Sequence, residues 1–259
     1  MHRQFAKTEE VLSESLPLPR DAARHLVTVL RFGLGDSVEL FDGAGATAIF
    51  RLCASEPCAA GDTRALLREG RLLLRRNGPV RHAAPRRRPL ILAACVSKGA
   101  RMDWTVEKAV ELGATKVLPI LSDNCVVSVR NAADAETHRQ RWGRIAIEAA
   151  RQCGAAYLPE ISLPCGLDAA LAALAADGAE IFAGGLVPDA VPFRDALASR
   201  RSRPAPAAVA WAVGPEGDFS PREYGALRSA GAKLVSLGDL VLRTETAAIF
   251  GLCVLSTEW

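Results

Sequence analysis

The chain has 259 residues, 49% of them hydrophobic and 5% aromatic, with a formal net charge of +3. That length holds one large domain or two modest ones, and that apolar content supports a real core and excludes a disordered chain. So small a net charge names no partner, and no apolar run is long enough to span a membrane. The polar opening MHRQFAKTEE is unlike a signal peptide. Seven cysteines form no CxxC pair, and several lie in apolar runs such as ILAACV and IFGLCVL. They predict a cytoplasmic protein with reduced, buried thiols. The four histidines are scattered, so no metal site is expected.

Residues 1–76 read as a small β-rich module. DAARHLVTVLR predicts a short helix with Asp21 as its N-cap. SVELFDGAGATAIFRLCA predicts two strands around the turn Asp42-Gly43-Ala44-Gly45, and GRLLL a further strand. Residues 77–88, with prolines, a glycine and arginines but no apolar period, read as a linker. Between Arg64 and Arg88 there are nine arginines and one acid, Glu69.

Residues 89–259 alternate apolar runs with helical patterns. The runs LILAACV, KVLPIL, EIFAG, AVAWAV and KLVSL predict strands. In ARMDWTVEKAVELG, Met102, Val106, Ala109 and Val110 share one helical face. RQRWGRIAIEAARQCG, LDAALAALAADG, SPREYGALRSAG and TETAAIFGLCVLSTEW predict four more helices, and Ser199 to Ala207 an exposed loop. Strand–helix alternation of this kind predicts an α/β fold with a mostly parallel sheet.

The chemistry concentrates in AWAVGPEGDFSPREYGAL. A strand ends at Gly214, and a helix begins after Ser220, with Pro221 at its first position and Glu223 completing a capping box. The loop between has neither the lysine of a P-loop nor the spacing of a dinucleotide loop. It carries two acids, Glu216 and Asp218, and Glu216 disfavours a polyphosphate. An adenosine carrying a sulfonium and an amino group suits a loop rich in amides but acidic; a plain turn is the other reading. One strand later, VLRTETAA predicts that Thr244 or Thr246 caps the last helix. This places Arg243 and Glu245 at the carboxyl end of a strand, where open α/β sheets bind ligands.

GPEG followed by LG-x-x-x-LRTETA resembles the RsmE family of SPOUT-class methyltransferases, and the resemblance covers nearly the whole chain. HLVTVLRFGLGDSVELFDG looks like the family's PUA-like RNA-binding β-barrel. SKGARMDWTVEKAVELGATKVLPILSD and WGRIAIEAARQCG look like the start of its catalytic domain. The resemblance implies a deep trefoil knot in that domain, a homodimer, and methylation of N3 of one uridine in small-subunit (16S) ribosomal RNA with S-adenosylmethionine (AdoMet). By position it implies cofactor contacts from Gly214, Pro215, Glu216, Gly217, Leu237, Gly238, Leu242, Arg243, Thr244 and Thr246. Arg243 and Glu245 are the catalytic candidates, orienting the substrates and stabilising a uridine anion. RNA contacts are expected from Arg3, His25 and Arg31 in the first module and from Arg86, Arg87 and Arg88 in the linker. The chain departs from the family pattern at Asn124, Ala155 and Leu240, where the family has arginine, and at Asp218, where it has glycine. A SPOUT enzyme with another RNA target, and a non-catalytic knotted RNA-binding or ribosome-assembly protein, are the other readings.

Overall fold

In the computed structural model, which describes residues 1–56, 62–200 and 204–258, the chain divides into two units. Met1–Pro85 with Arg151–Tyr157 forms the first, and Arg86–Ala150 with Leu158–Trp259 the second. Cys58 and Arg201–Arg203, which the sequence reading placed in an all-thiol set and an exposed loop, lie outside the described residues.

The first unit contains β1 (His2–Phe5), α1 (Thr8–Leu12), β2 (Ser15–Pro17), α2 (Arg20–Arg24), β3 (Ser37–Phe41), β4 (Ala46–Ala54), α3 (Thr63–Glu69), β5 (Leu72–Arg76) and β6 (Arg81–His82). The expected hairpin is β3–β4, antiparallel around Asp42–Gly45. Asp42 Oδ1 fixes the turn by accepting from the amides of Ala44 and Ala46. The sheet order is β1-β3-β4-β5-β2, with β6 on β4. No ladder joins β1 to β2 among the described residues, so the module is an open sheet and not the closed barrel expected. Its core is built from alternating inward residues, including Val38, Leu40, Phe50, Leu52, Leu72 and Leu74.

Two local readings are corrected here. Helix α2 starts one residue before Asp21, with Pro19 in the cap position, and the chain then widens into a π-helical turn over His25–Val29. Residues 77–88 are not a free linker, because Arg81 and His82 pair with Thr47 and Ala46. Part of the arginine run is likewise tied down. Arg71 pairs with Glu56 and Glu69, Arg76 donates to the Ser13 carbonyl, and Arg81 pairs with Glu39.

The second unit contains β7 (Leu90–Cys95), α4 (Ala100–Glu111), β8 (Lys116–Leu121), α5 (Ala132–Cys153, whose last residues belong to the first unit), β9 (Glu160–Ile161), β10 (Cys165–Gly166), α6 (Leu167–Ala176), β11 (Ala179–Gly184), β12 (Val191–Pro192), α7 (Phe193–Arg200), β13 (Ala208–Val213), α8 (Pro221–Ser229), β14 (Lys233–Ser236) and α9 (Thr244–Glu258). Every strand pair in this sheet is parallel. The order is β10-β8-β7-β13-β11-β14-β12, with β9 on β8. All five predicted strands are present, and β13 is buried at every residue because helices cover both faces of its sheet.

One face packs on α6 and α8, with Leu171, Leu174 and Leu227 against Ile91, Ile120 and Ala210. On the other, α9 lies over β7 and β13 beside α4, and α4 buries Met102, Val106, Ala109 and Val110 as its period predicts. Trp211 stacks on Phe193 at 5.1 Å and donates its indole N–H to the Ala247 carbonyl at 3.1 Å.

Some thiols differ from expectation. Cys95 is buried, but Cys153 and Cys253 are exposed. Cys253 sits in an apolar run whose buried positions are Gly251, Leu252 and Leu255, so helical spacing turns the thiol outward. Arg200, placed by sequence in an exposed loop, is buried; it ends α7 and bonds Glu180 at 2.7 Å. Among the described residues no helix is long and apolar enough to cross a membrane.

Candidate active site

Three loops leave the carboxyl ends of neighbouring strands β13, β11 and β14 and meet at one pocket of about 290 Å³. The first loop contributes Gly214, Pro215 and Glu216; the loop after β14 contributes Leu237 and Gly238; the entry to α9 contributes Leu242, Arg243 and Thr244. The remaining predicted residues, Gly217, Glu245 and Thr246, do not line it.

Local chemistry sets the first loop. Ser220 accepts from the Glu223 amide, Glu223 accepts in return from Ser220, and Pro221 stands at the first helical position, as the sequence predicts. Glu223 is wholly buried, and its other oxygen accepts from the Asp123 amide at 3.0 Å. The cap therefore ties the loop to the end of β8. Asn124 ties it again, its Nδ2 donating to the carbonyls of Gly217 at 3.1 Å and Asp218 at 2.9 Å. An arginine at this position would project charge; the asparagine instead braces the loop. Replacing Asn124 by alanine is expected to weaken ligand binding about three- to tenfold, the worth of one or two exposed hydrogen bonds. Titration of the variant with AdoMet checks this, and unchanged affinity would remove the bracing role.

The second loop turns at Gly238, whose φ of 134° suits glycine alone. Helix α9 then opens at Thr244, with the Ala247 amide on the Arg243 carbonyl. Neither Thr244 nor Thr246 is the cap; Arg243 holds that position. Its side chain is exposed and makes no ion pair among the described residues. Glu245 is favourably placed in the first turn of the helix, near its positive end.

Sequence reasoning missed two sets of residues. Gly184, Gly185 and Leu186, after β11, form a third wall of the pocket. Their signal was the Gly-Gly pair ending the run EIFAGG. Arg101, at the start of α4, bonds Glu216 at 2.7 Å and lies 4.0 Å from Glu245. One guanidinium thus bonds a pocket acid and lies near Glu245, whose side chain is 12% exposed and whose Oε2 has no hydrogen-bond partner among the described residues. Nothing in the spacing signalled a contact across 115 residues. Leu240 and Val241, at the mouth, are 79% and 75% exposed.

The expected RNA residues divide. His25, Arg31 and Arg87 are exposed, and Arg31 has a left-handed backbone at φ 58°. Arg88 is half-buried. Arg3 is spent inside the first unit: it bonds Glu39 at 2.5 Å, lies over the Phe41 ring and donates to the Ala155 carbonyl. Arg86 is packed under the end of α9, donating to the Ser256 carbonyl at 3.4 Å, and burial lowers its affinity for a proton.

A parallel α/β sheet with a loop-built pocket over the carboxyl ends of adjacent strands is a ligand-binding domain, here joined to a small β-rich unit. The family model described as RNA methyltransferase domain matches residues 84–256, and that described as RNA methyltransferase PUA domain matches residues 18–52. A ribosomal RNA small subunit methyltransferase E of Mycobacterium bovis is 32% identical, over 92% of this chain and 86% of its own. The fold superposes on the Neisseria gonorrhoeae protein of that name, solved with S-adenosyl methionine, with a TM-score of 0.77 and 27% identity over 100% and 98% of the two chains. A Legionella pneumophila methyltransferase solved with the same cofactor gives 0.79 and 28%, over 99% and 97%. The chain belongs to the RNA methyltransferase family, in its ribosomal RNA small subunit methyltransferase E (RsmE) branch.

Proposed function

We propose that the protein methylates N3 of a uridine in small-subunit (16S) ribosomal RNA, using AdoMet. The observation that carries this reading is the three-loop pocket with Arg243 on its wall and no acid paired to that cation among the described residues. The pocket fits the cofactor chemically. Glycines at 184, 185, 214 and 238 bring backbone close to a ligand, Leu186, Val213 and Leu242 give apolar walls, and Glu216 adds a carboxylate that is paired with Arg101.

When bound, AdoMet supplies an electrophilic methyl group on a positively charged sulfur. Gly214, Pro215, Leu237, Gly238 and Leu242 hold it in this proposal. Uridine N3 would give up its proton to solvent water before it could accept the methyl group. Arg243 stabilises the uridine anion that precedes this step. Glu245 acts one residue removed, by holding Arg101 against Glu216. Positioning of the two substrates supplies much of the remaining rate.

The same reading includes the trefoil knot, a homodimer whose sites border the partner subunit, and a cytoplasmic location. Strand β13 supports the knot: it follows β7 and β11 in sequence yet lies between them. His25, Arg31, Arg87 and Arg88 are the proposed phosphate contacts.

The test incubates the protein and labelled AdoMet with small ribosomal subunits lacking the modification, and separately with tRNA, and reads nucleosides by mass spectrometry. The expected product is 3-methyluridine in subunit RNA alone. AdoMet binding without label in the subunit would mean a different RNA target; no binding would favour a non-catalytic role.

A further inference from the structure

Asp218 adopts the left-handed backbone that glycine favours, at φ 59°. Aspartate and asparagine are the side chains that best tolerate that region, because their short polar groups bond locally. Here Oδ1 accepts from the Phe219 amide at 2.8 Å. The Tyr224 hydroxyl lies 2.8 and 2.7 Å from the two carboxylate oxygens. Tyr224 is 4% exposed, on α8.

The same phenol oxygen accepts from the Leu186 amide at 3.1 Å. Leu186 and Asp218 belong to two different walls of the cofactor pocket. One hydroxyl therefore spans the loops after β11 and β13, donating to one and accepting from the other. The ring's seat is shaped for it. A Cβ on Gly185 would stand 3.1 Å from the ring, and Phe219 meets the ring edge-on at 5.8 Å. Arg228 lies 5.6 Å from the ring centroid and is held there by both oxygens of Asp189, in the segment after β11. Burial, then the bond to Asp218, raises the phenol's hold on its proton, so the donor persists across neutral pH.

We propose that Tyr224 is a positioning residue that sets the separation of two walls of the cofactor pocket, and that Asp218 is its required acceptor. This rests on AdoMet occupying the pocket.

The experiment compares Tyr224→Phe, Asp218→Asn, Asp218→Gly and the double variant Asp218→Gly/Tyr224→Phe by AdoMet calorimetry, steady-state methyl transfer, thermal melting and amide hydrogen exchange. Tyr224→Phe and Asp218→Gly are each expected to weaken AdoMet binding about tenfold, the worth of one charge-assisted hydrogen bond. The KM for AdoMet rises with it, while kcat at saturation holds within about twofold. Asp218→Asn retains an acceptor and the backbone but not the charge, and is expected to bind between the wild type and Asp218→Gly. The double variant is expected to be no worse than either single one, because both remove the same bond. Wild-type affinity in Tyr224→Phe, or single losses that multiply in the double variant, would overturn the proposal, as would a melting temperature lowered with no change in KM. If the wild type itself binds no AdoMet, the cofactor reading fails. The brace is then judged without ligand: faster exchange of the Leu186 amide in Tyr224→Phe supports it, and unchanged exchange rejects it.

Discussion

Gly251→Ala is expected to lower the melting temperature by about 10 °C, a loss of about 3 kcal/mol in a domain of this size. Gly251 is on α9 where that helix crosses Trp211. A Cβ there would lie 2.0 Å from one indole carbon and 2.4 Å from another ring atom. The ring has nowhere to retreat. It is fully buried, stacked on Phe193 at 5.1 Å, and bonded to the Ala247 carbonyl of the same helix. The helix must move instead, and its first turn carries Thr244 and Ala247 into the pocket wall. Gly225→Ala is the control. Gly225 is also helical, on α8, but a Cβ there meets nothing within 4 Å. That variant is expected to gain about 0.5 kcal/mol from lower unfolded-state entropy. Thermal melts of both variants decide the matter; equal melting points would mean that the Trp211 contact exerts no constraint.

The second large effect is on catalysis. Arg243→Ala is expected to reduce the single-turnover rate of methyl transfer by about 10²- to 10³-fold, the usual cost of removing a group aimed at developing charge. The expectation rests on Arg243 lining the pocket with no competing acid paired to it among the described residues. Arg243→Lys should recover only part of the rate, because a point charge lacks the planar, multi-donor guanidinium. A rate within threefold of wild type for Arg243→Ala would assign the anion to another group. Melting temperature should scarcely change in either variant, since the side chain is exposed.

The residues lost relative to the family pattern have different structural fates. Asn124 returns two hydrogen bonds to the first loop. The Ala155 carbonyl receives the Arg3 guanidinium. Leu240 gets no such replacement; it stands exposed at the pocket mouth beside Val241.

Much of the second unit was legible because its signals are local. Five apolar runs matched the five long parallel strands, since a strand buried on both faces must be apolar throughout. The Ser220–Glu223 box and Pro221 placed the start of α8 to the residue. Eight of the expected cofactor positions line the pocket because they sit on loops that directly follow strands. In the first unit the pattern was weaker. β1 pairs in parallel with β3, and β2 and β6 are three and two residues long. Such strands are defined by their partners more than by their own residues. Asp21 illustrates the limit of a cap rule: its type suits the position, but Pro19 and the π-helical turn beyond it set where α2 starts.

The sequence by itself determined the family, the strand–loop–helix units and the residues at the strand ends, because caps, glycines and apolar runs act over a few residues. Only the tertiary structure decided which ends meet. The order β13-β11-β14 brings Gly184–Leu186 to the pocket. Folding carries Arg101 to Glu216 and pairs Arg3 with Glu39. It also turns Asp218, an acid on a glycine's backbone, into the acceptor for Tyr224. Each of these depends on distances between residues far apart in the chain, which only closure of the sheet and packing of its helices can set.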